Sequence, residues 1–301
     1  MSNTAKIGSS RYQYLTLQPS PSNPNIAIIT LSRPRKRNAI NAQMWREIGS
    51  VFRNLDVSLY RVVLLRGAGA NFSSGIDLSD PKFSVVTMGA IDGDEENDSI
   101  KETPDFARRV LSSKQMILDM QSAFTAIELC PIPVIAAIHG PCIGGGIDLV
   151  CATDVRLCSH DAIFSVREVK LGLAADVGTL QRLPKVVGHS SRVRELCLTG
   201  EDFDAMEAHR IGFVSRVLSN ERTLMEDALR VCDVIASNSP VAVVGTKSAL
   251  IYARDHSVAE GLEQIASHNA AALATDDIVA SFVASKGGKG EFAPLLPLSR
   301  L

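Results

Sequence analysis

Short apolar runs separated by longer amphipathic stretches constrain this chain more than any other feature. Strand-like patterns, alternating or continuously apolar and bounded by turn residues, occur at 12–18, 25–32, 61–66, 133–138, 154–158 and 163–166. Between them, 41–56 (NAQMWREIGSVFRNLD) and about 105–129 carry helical periodicity. Strands and helices that alternate along a chain bury their apolar sides against each other, so we expect an α/β layered architecture. The 301 residues suffice for a sizeable core, and 46% apolar with 21% charged residues describes a folded, water-soluble body.

Two regions break the alternation. Residues 82–104 read as a solvated loop between core elements, since seven acids and one lysine lie between Asp92 and Asp105. From about 222 onward strands give way to helical patterns: ERTLMEDALRVCDVIAS, PVAVVGTKSALIYARD and a stretch near 257–275. The expected organisation is therefore a core at 10–221, a helical region at 222–296 and a short tail at 297–301. The helical region has more apolar positions than one contact face needs, which points to subunit association.

Charge and cysteine usage narrow the function classes. Net charge is −2, from 31 basic and 33 acidic residues, so no global field draws the chain to nucleic acid or anionic membrane. With aromatics at 5%, it also lacks the basic, aromatic-interleaved surface of an RNA reader. Cys130, Cys142, Cys151, Cys158, Cys197 and Cys232 form neither a CxxC nor a Cys/His metal spacing, and read as reduced core thiols. No apolar run reaches the roughly 18 residues of a membrane span. MSNTAKIGSS lacks the apolar core of a secretory signal, so an intracellular location is expected. The chain ends in Ser299-Arg300-Leu301, which is similar to the peroxisomal SKL tripeptide that an import receptor reads at a free C-terminus. The first acidic residue is Glu47, which leaves mitochondrial import as the alternative.

Three features carry candidate chemistry. In AIHGPCIGGGIDL (137–149) an apolar strand runs into a turn and then Gly144-Gly145-Gly146 before a helical stretch. Consecutive glycines cost backbone entropy, so something approaches the main chain closely there, and orphan amides at a helix start can hold a negative oxygen. A tight strand-to-helix turn alone would also explain them. A second strand end with small residues, NFSSGIDL (71–78), could aim another amide at the same oxygen, as enolate stabilisation requires. Taken alone, it could equally be a helix cap. The third feature is the carboxylate set Asp148, Glu168 and Asp176. Asp176 lies in LGLAADVGT, among apolar and small residues where an unpaired carboxylate is normally avoided. Each acid alone could be a cap or an ion-pair partner. Gathered in an apolar pocket they would repel one another and lose hydration, which raises proton affinity and suits exchange with carbon acids.

HGPCIGGGIDLVCATDVRLCS, FSVREVKLGLAADVGTLQRLPKVVG, LSRPRKRNAIN and FSSGIDL together resemble the enoyl-CoA hydratase/isomerase (crotonase) superfamily over about residues 12–275. Within it, the three carboxylates resemble the Δ3,5-Δ2,4-dienoyl-CoA isomerase branch. Hydratases usually have Glu where Asp148 stands, a second Glu at Glu168, and Gly where Asp176 stands. The resemblance implies a spiral of repeated ββα units with a C-terminal helical trimerisation region, assembled as trimers or a dimer of trimers. It also implies an acyl-CoA thioester substrate, with the oxyanion amides at Ile76 and Gly145 and with Ser74, Gly75, Asp77, Leu78 and Gly144 lining the site. Glu168 and Asp176 would exchange protons with C2 and C6 of a 3,5-dienoyl-CoA in β-oxidation, and Asp148 would tune them. No metal or redox cofactor is implied, coenzyme A being part of the substrate. In this superfamily the basic run Arg33-Pro34-Arg35-Lys36-Arg37 borders the nucleotide end of coenzyme A. The rival expectations are an enoyl-CoA hydratase, which has no use for Asp176, and a catalytically silent CoA- or RNA-binding member of the same fold.

Overall fold

The computed structural model describes residues 11–81, 83, 105–286 and 291–297. Apart from Phe83, the expected 82–104 loop lies outside the described residues, as does the tripeptide at 299–301. Numbered along the chain, strands β1 (Leu15–Pro19), β2 (Ile26–Leu31), β3 (Val62–Gly67), β4 (Val134–Ile138), β6 (Val155–Ser159) and β9 (Arg216–Leu218) form the main sheet in that order. β1 is antiparallel to β2, and the other neighbours are parallel. A second sheet joins β5 (Pro141–Ile143) to β7 (Ile163–Ser165), and β7 to β8 (Phe203–Asp204). All five residues of β4, VIAAI, are buried, as expected for a central parallel strand covered on both faces.

One face is covered by the helix Ala42–Arg53, which turns Met44, Trp45, Ile48, Val51 and Phe52 inward, and by the helix Phe106–Glu128. The Asn41 side chain caps the first of these by accepting from the Met44 amide. The other face is covered by the helix Glu221–Ala236. Its Leu224, Ala228, Cys232 and Ala236, spaced four apart, pack on Ile28, Leu64, Ile135 and Leu157 of the sheet. This corrects the boundary expected near 222: the first C-terminal helix is a layer of the core.

The next helix, Pro240–Tyr252, is pinned by buried Lys247, whose Nζ donates to Asp154 Oδ2 at 2.7 Å and to the Ile132 carbonyl at 3.1 Å. Beyond it, Val258, Leu262, Val279 and Phe282 are exposed on the helices Val258–Ala272 and Asp277–Ser285, as is Leu273 just after the first of them. The six cysteines are free, five buried and Cys197 partly so, as the sequence suggested. Burial pushes the thiols of Cys151, Cys158 and Cys232 up to about 12, so they stay neutral and serve as core packing. Among the described residues no single helix is long and apolar enough to cross a membrane.

Candidate active site

The two glycine-bearing strand ends meet. Phe72 N donates to the His139 carbonyl, Ser73 N to Pro141, and Ile143 N back to Ser73, zipping the 71–76 loop along β5. Asn38, fully buried with φ of 52°, ties down the same loop: its amide donates at 2.8 Å to both the Ala68 and Asn71 carbonyls. Gly75 has φ of 87°, and a Cβ on it would stand 2.7 Å from the Ile143 carbonyl oxygen and 3.3 Å from the Gly145 nitrogen. Only glycine permits that approach. Ile40 N donates to Gly75 O and Asp77 N to Ile40 O, so the amide between them, that of Ile76, faces the opposite side. A Cβ on Gly145 would lie 3.6 Å from that Ile76 nitrogen and 3.7 Å from the Trp45 ring. Gly145 opens the helix Gly145–Cys151, so its N–H has no partner within the helix. Among the described residues neither the Ile76 nor the Gly145 amide has an acceptor. Two adjacent free donors at a helix start form a cradle for an anionic oxygen.

Beside the cradle the carboxylates gather. Asp148, three residues into the helix, is fully buried, and its Oδ1 accepts from the Thr179 amide at 2.6 Å. Glu168 begins a short 3-10 turn after β7, with its Oε1 against Gly144. A Cβ on Gly144, whose φ is 50°, would stand 3.1 Å from that oxygen. Asp148 Oδ2 and Glu168 Oε2 are both buried without a hydrogen-bond partner. Burial, and next the Glu168 charge, raise the Asp148 carboxyl to about 7. Burial also raises Glu168, while Asp148 and backbone amides favour its ionised form. The two carboxyls thus titrate jointly, and burial displaces both upward. Asp176 corrects an expectation: Ala175 and Val177 turn inward, whereas Asp176 itself is exposed. Enough protein surrounds it that desolvation still raises its carboxyl, and its charge raises both of the others.

A stability prediction follows from the Asp148 shift. Between about pH 4 and 7 the folded chain keeps a proton that an unfolded Asp has released, so this group's contribution to stability falls as pH rises. Asp148→Asn removes the titration, and the amide can accept from Thr179 N and donate toward Glu168. The variant should be more stable than the native chain by about 1–3 kcal/mol near pH 8, with the difference shrinking toward pH 4. Urea unfolding at the two pH values measures this, and a pH-independent difference would show that Asp148 is not held neutral.

The remaining expected site residues divide. Gly75 and Gly144 shape the cradle, Ser74 is half-buried, and Leu78 is exposed beside it. The Asp77 carboxylate is taken up within the protein by Arg33 at 2.9 Å and by the Ser79 hydroxyl at 2.6 Å. Arg33 thereby leaves the basic run: its guanidinium also donates to the Ala39 carbonyl and lies over Tyr14, while Arg35, Lys36 and Arg37 stay exposed. Sequence reasoning missed Thr179, Trp45 and Gln121. Thr179 and Gln121 act through the chain fold alone, and only the lone tryptophan carried a signal, that of a large residue in a helical apolar stripe.

Known proteins resemble the whole of this framework. The family model described as enoyl-CoA hydratase/isomerase matches residues 22–85 and 105–286. The mitochondrial Delta(3,5)-Delta(2,4)-dienoyl-CoA isomerase of Rattus norvegicus is 44% identical over 277 residues, 92% of this chain and 81% of that protein. The peroxisomal protein of that name from Arabidopsis thaliana is 40% identical over 271 residues, 88% and 92% of the two chains. Among solved structures, the enoyl-CoA hydratase of Bacillus anthracis aligns with a TM-score of 0.77 at 26% identity, covering 93% of this chain and 99% of that one. A putative enoyl-CoA hydratase from Thermobifida fusca YX, in complex with acetoacetyl-CoA, aligns at 0.72 and 31% identity, covering 87% and 95%. The layered sheet, the touching glycine loops and this breadth of likeness agree: the chain belongs to the enoyl-CoA hydratase/isomerase family.

Proposed function

We propose that the chain isomerises 3,5-dienoyl-CoA to 2,4-dienoyl-CoA, and that the third carboxylate, Asp176, beside the coupled Asp148 and Glu168 pair is the observation that carries this reading. The thioester oxygen sits between the Ile76 and Gly145 amides, which bind it more tightly as it becomes an enolate. Ionised Glu168 takes a proton from C2. The electrons of that C–H bond spread over the oxygen, C2, C4 and C6, and Asp176 delivers a proton to C6, leaving double bonds at C2 and C4. Desolvation raises the Asp176 carboxyl, the direction that favours a proton donor, and its exposure allows reprotonation from solvent. Asp148, buried against Glu168, tunes the proton affinity of that base. Ser74 and Leu78 flank the thioester, while Asp77 holds the loop through Arg33. The scheme uses no metal or redox cofactor. Relatives named dienoyl-CoA isomerase at 44% identity support the substrate class.

The test is the ultraviolet spectrum of 3,5-dienoyl-CoA with pure protein, because bringing the diene into conjugation with the thioester shifts its absorption. No shift, together with efficient hydration of a 2-enoyl-CoA, would replace this reading with the hydratase one. The exposed apolar positions of the C-terminal helices support assembly through that face as a trimer or dimer of trimers, which light scattering at micromolar concentration checks. For a chain ending at Leu301, Ser299-Arg300-Leu301 supports peroxisomal import. The relatives divide between peroxisomal and mitochondrial names, and following a tagged chain with the tripeptide deleted decides between them.

A further inference from the structure

The aim of Asp176 depends on its backbone. Among the described residues no other residue donates to its carboxylate, and its own amide is the nearest donor. The segment that carries it forms no helix or strand and is bounded by Gly172 and Gly178, with φ of 77° and 134°. Hydrogen bonds at both ends and at Asp176 hold this segment. Leu173 N donates to the Glu168 carbonyl at 3.1 Å, and Thr179 N to Asp148 Oδ1 at 2.6 Å, tying its ends to the carboxylate pair. Another acts on Asp176 itself: Gln121 Nε2 donates to its backbone carbonyl at 2.6 Å.

Gln121 makes that bond from a firmly seated helix. Next to it, the Met120 carbonyl accepts from Trp45 Nε1 at 2.9 Å, and Phe124 packs on the Trp45 ring with centroids 4.7 Å apart. Two turns on, Glu128 is bracketed by Arg182 and Arg254, and Arg182 lies just beyond the Asp176 segment. The same helix therefore braces Trp45, which backs Gly145 in the amide cradle, and the segment that bears the acid.

We propose that Gln121 is a positioning residue for Asp176: it fixes the peptide carbonyl, and so aims the carboxyl at the far end of the diene, without touching substrate. This rests on the isomerase reading above. Misplacement of a reacting group by about 1 Å can cost about a hundredfold in rate, and one hydrogen bond controls part of such a shift. Gln121→Met keeps the length of the side chain and removes its donors. In this variant kcat for isomerisation should fall about tenfold with KM within about twofold, while deuterium exchange at C2, driven by Glu168, stays within about twofold of the native rate. Combined with Asp176→Asn, it should cost less than about a further twofold, because the group it aims is already disabled. Parallel loss of exchange and isomerisation, multiplicative losses in the double variant, or an unchanged kcat would each overturn the proposal. A native chain that does not isomerise the diene would sink the isomerase reading itself, a result visible before any variant is made.

Discussion

The Asp176→Asn enzyme is expected to isomerise 3,5-dienoyl-CoA about 10²–10⁴-fold more slowly than the native chain, a rise in barrier of about 3–5 kcal/mol. The amide has the size and polarity of the acid but no carboxylic proton for C6. Because Asp176 is exposed and, among the described residues, enters no ion pair, folding should be unaffected. The Glu168 step precedes it, so the variant should still exchange C2 protons with deuterated solvent while the diene fails to move. Glu168→Gln should be comparably slow and should lose the C2 exchange as well. Measuring both signals on both variants separates base from acid, and native-rate isomerisation by Asp176→Asn would remove it from the mechanism.

Gly145→Pro should lower turnover by about 10²-fold or more, for a different reason. Gly145 is the first residue of its helix, where proline is well tolerated because the missing N–H has no helical partner. The nearest atom to a Cβ there is 3.6 Å away, an ordinary contact, so a β-carbon is accommodated. What disappears is one of the two donors facing the thioester oxygen. Without it the dienolate loses support before either proton transfer completes, so C2 exchange and isomerisation should fall together, unlike in Asp176→Asn. Gly145→Ala retains the donor and should cost far less. Exchange that persists in Gly145→Pro would place the oxyanion elsewhere.

The strands β2, β3 and β4 were readable to within a residue at each end because each is a largely apolar run, and burial of both faces leaves such a run little alternative. β5, β8 and β9 were not foreseen, since strands of two or three residues contain too few positions to show a period. The helix Glu221–Ala236 was readable as a helix and misplaced as an appendage. Periodicity reports that a face is apolar, and only the packing of Leu224 and Ala228 on the sheet says what that face covers.

At the site, residue types suggested the chemistry. The glycines at 75 and 144–146 and the acids at 148, 168 and 176 were each open to a turn or capping role on their own, and it was the family resemblance that joined them as an amide cradle and a proton-transfer set. Tertiary structure decided how each acid behaves. Asp148 and Glu168, 20 residues apart in sequence, come close enough for their titrations to be linked because β5 and β7 pair and bring their following turns together. Asp176 was expected to be sequestered, yet it faces solvent because the chain between Gly172 and Gly178 turns Ala175 and Val177 inward in its place. Proton affinity depends on distance and dielectric, quantities that a sequence does not contain and that the fold supplies.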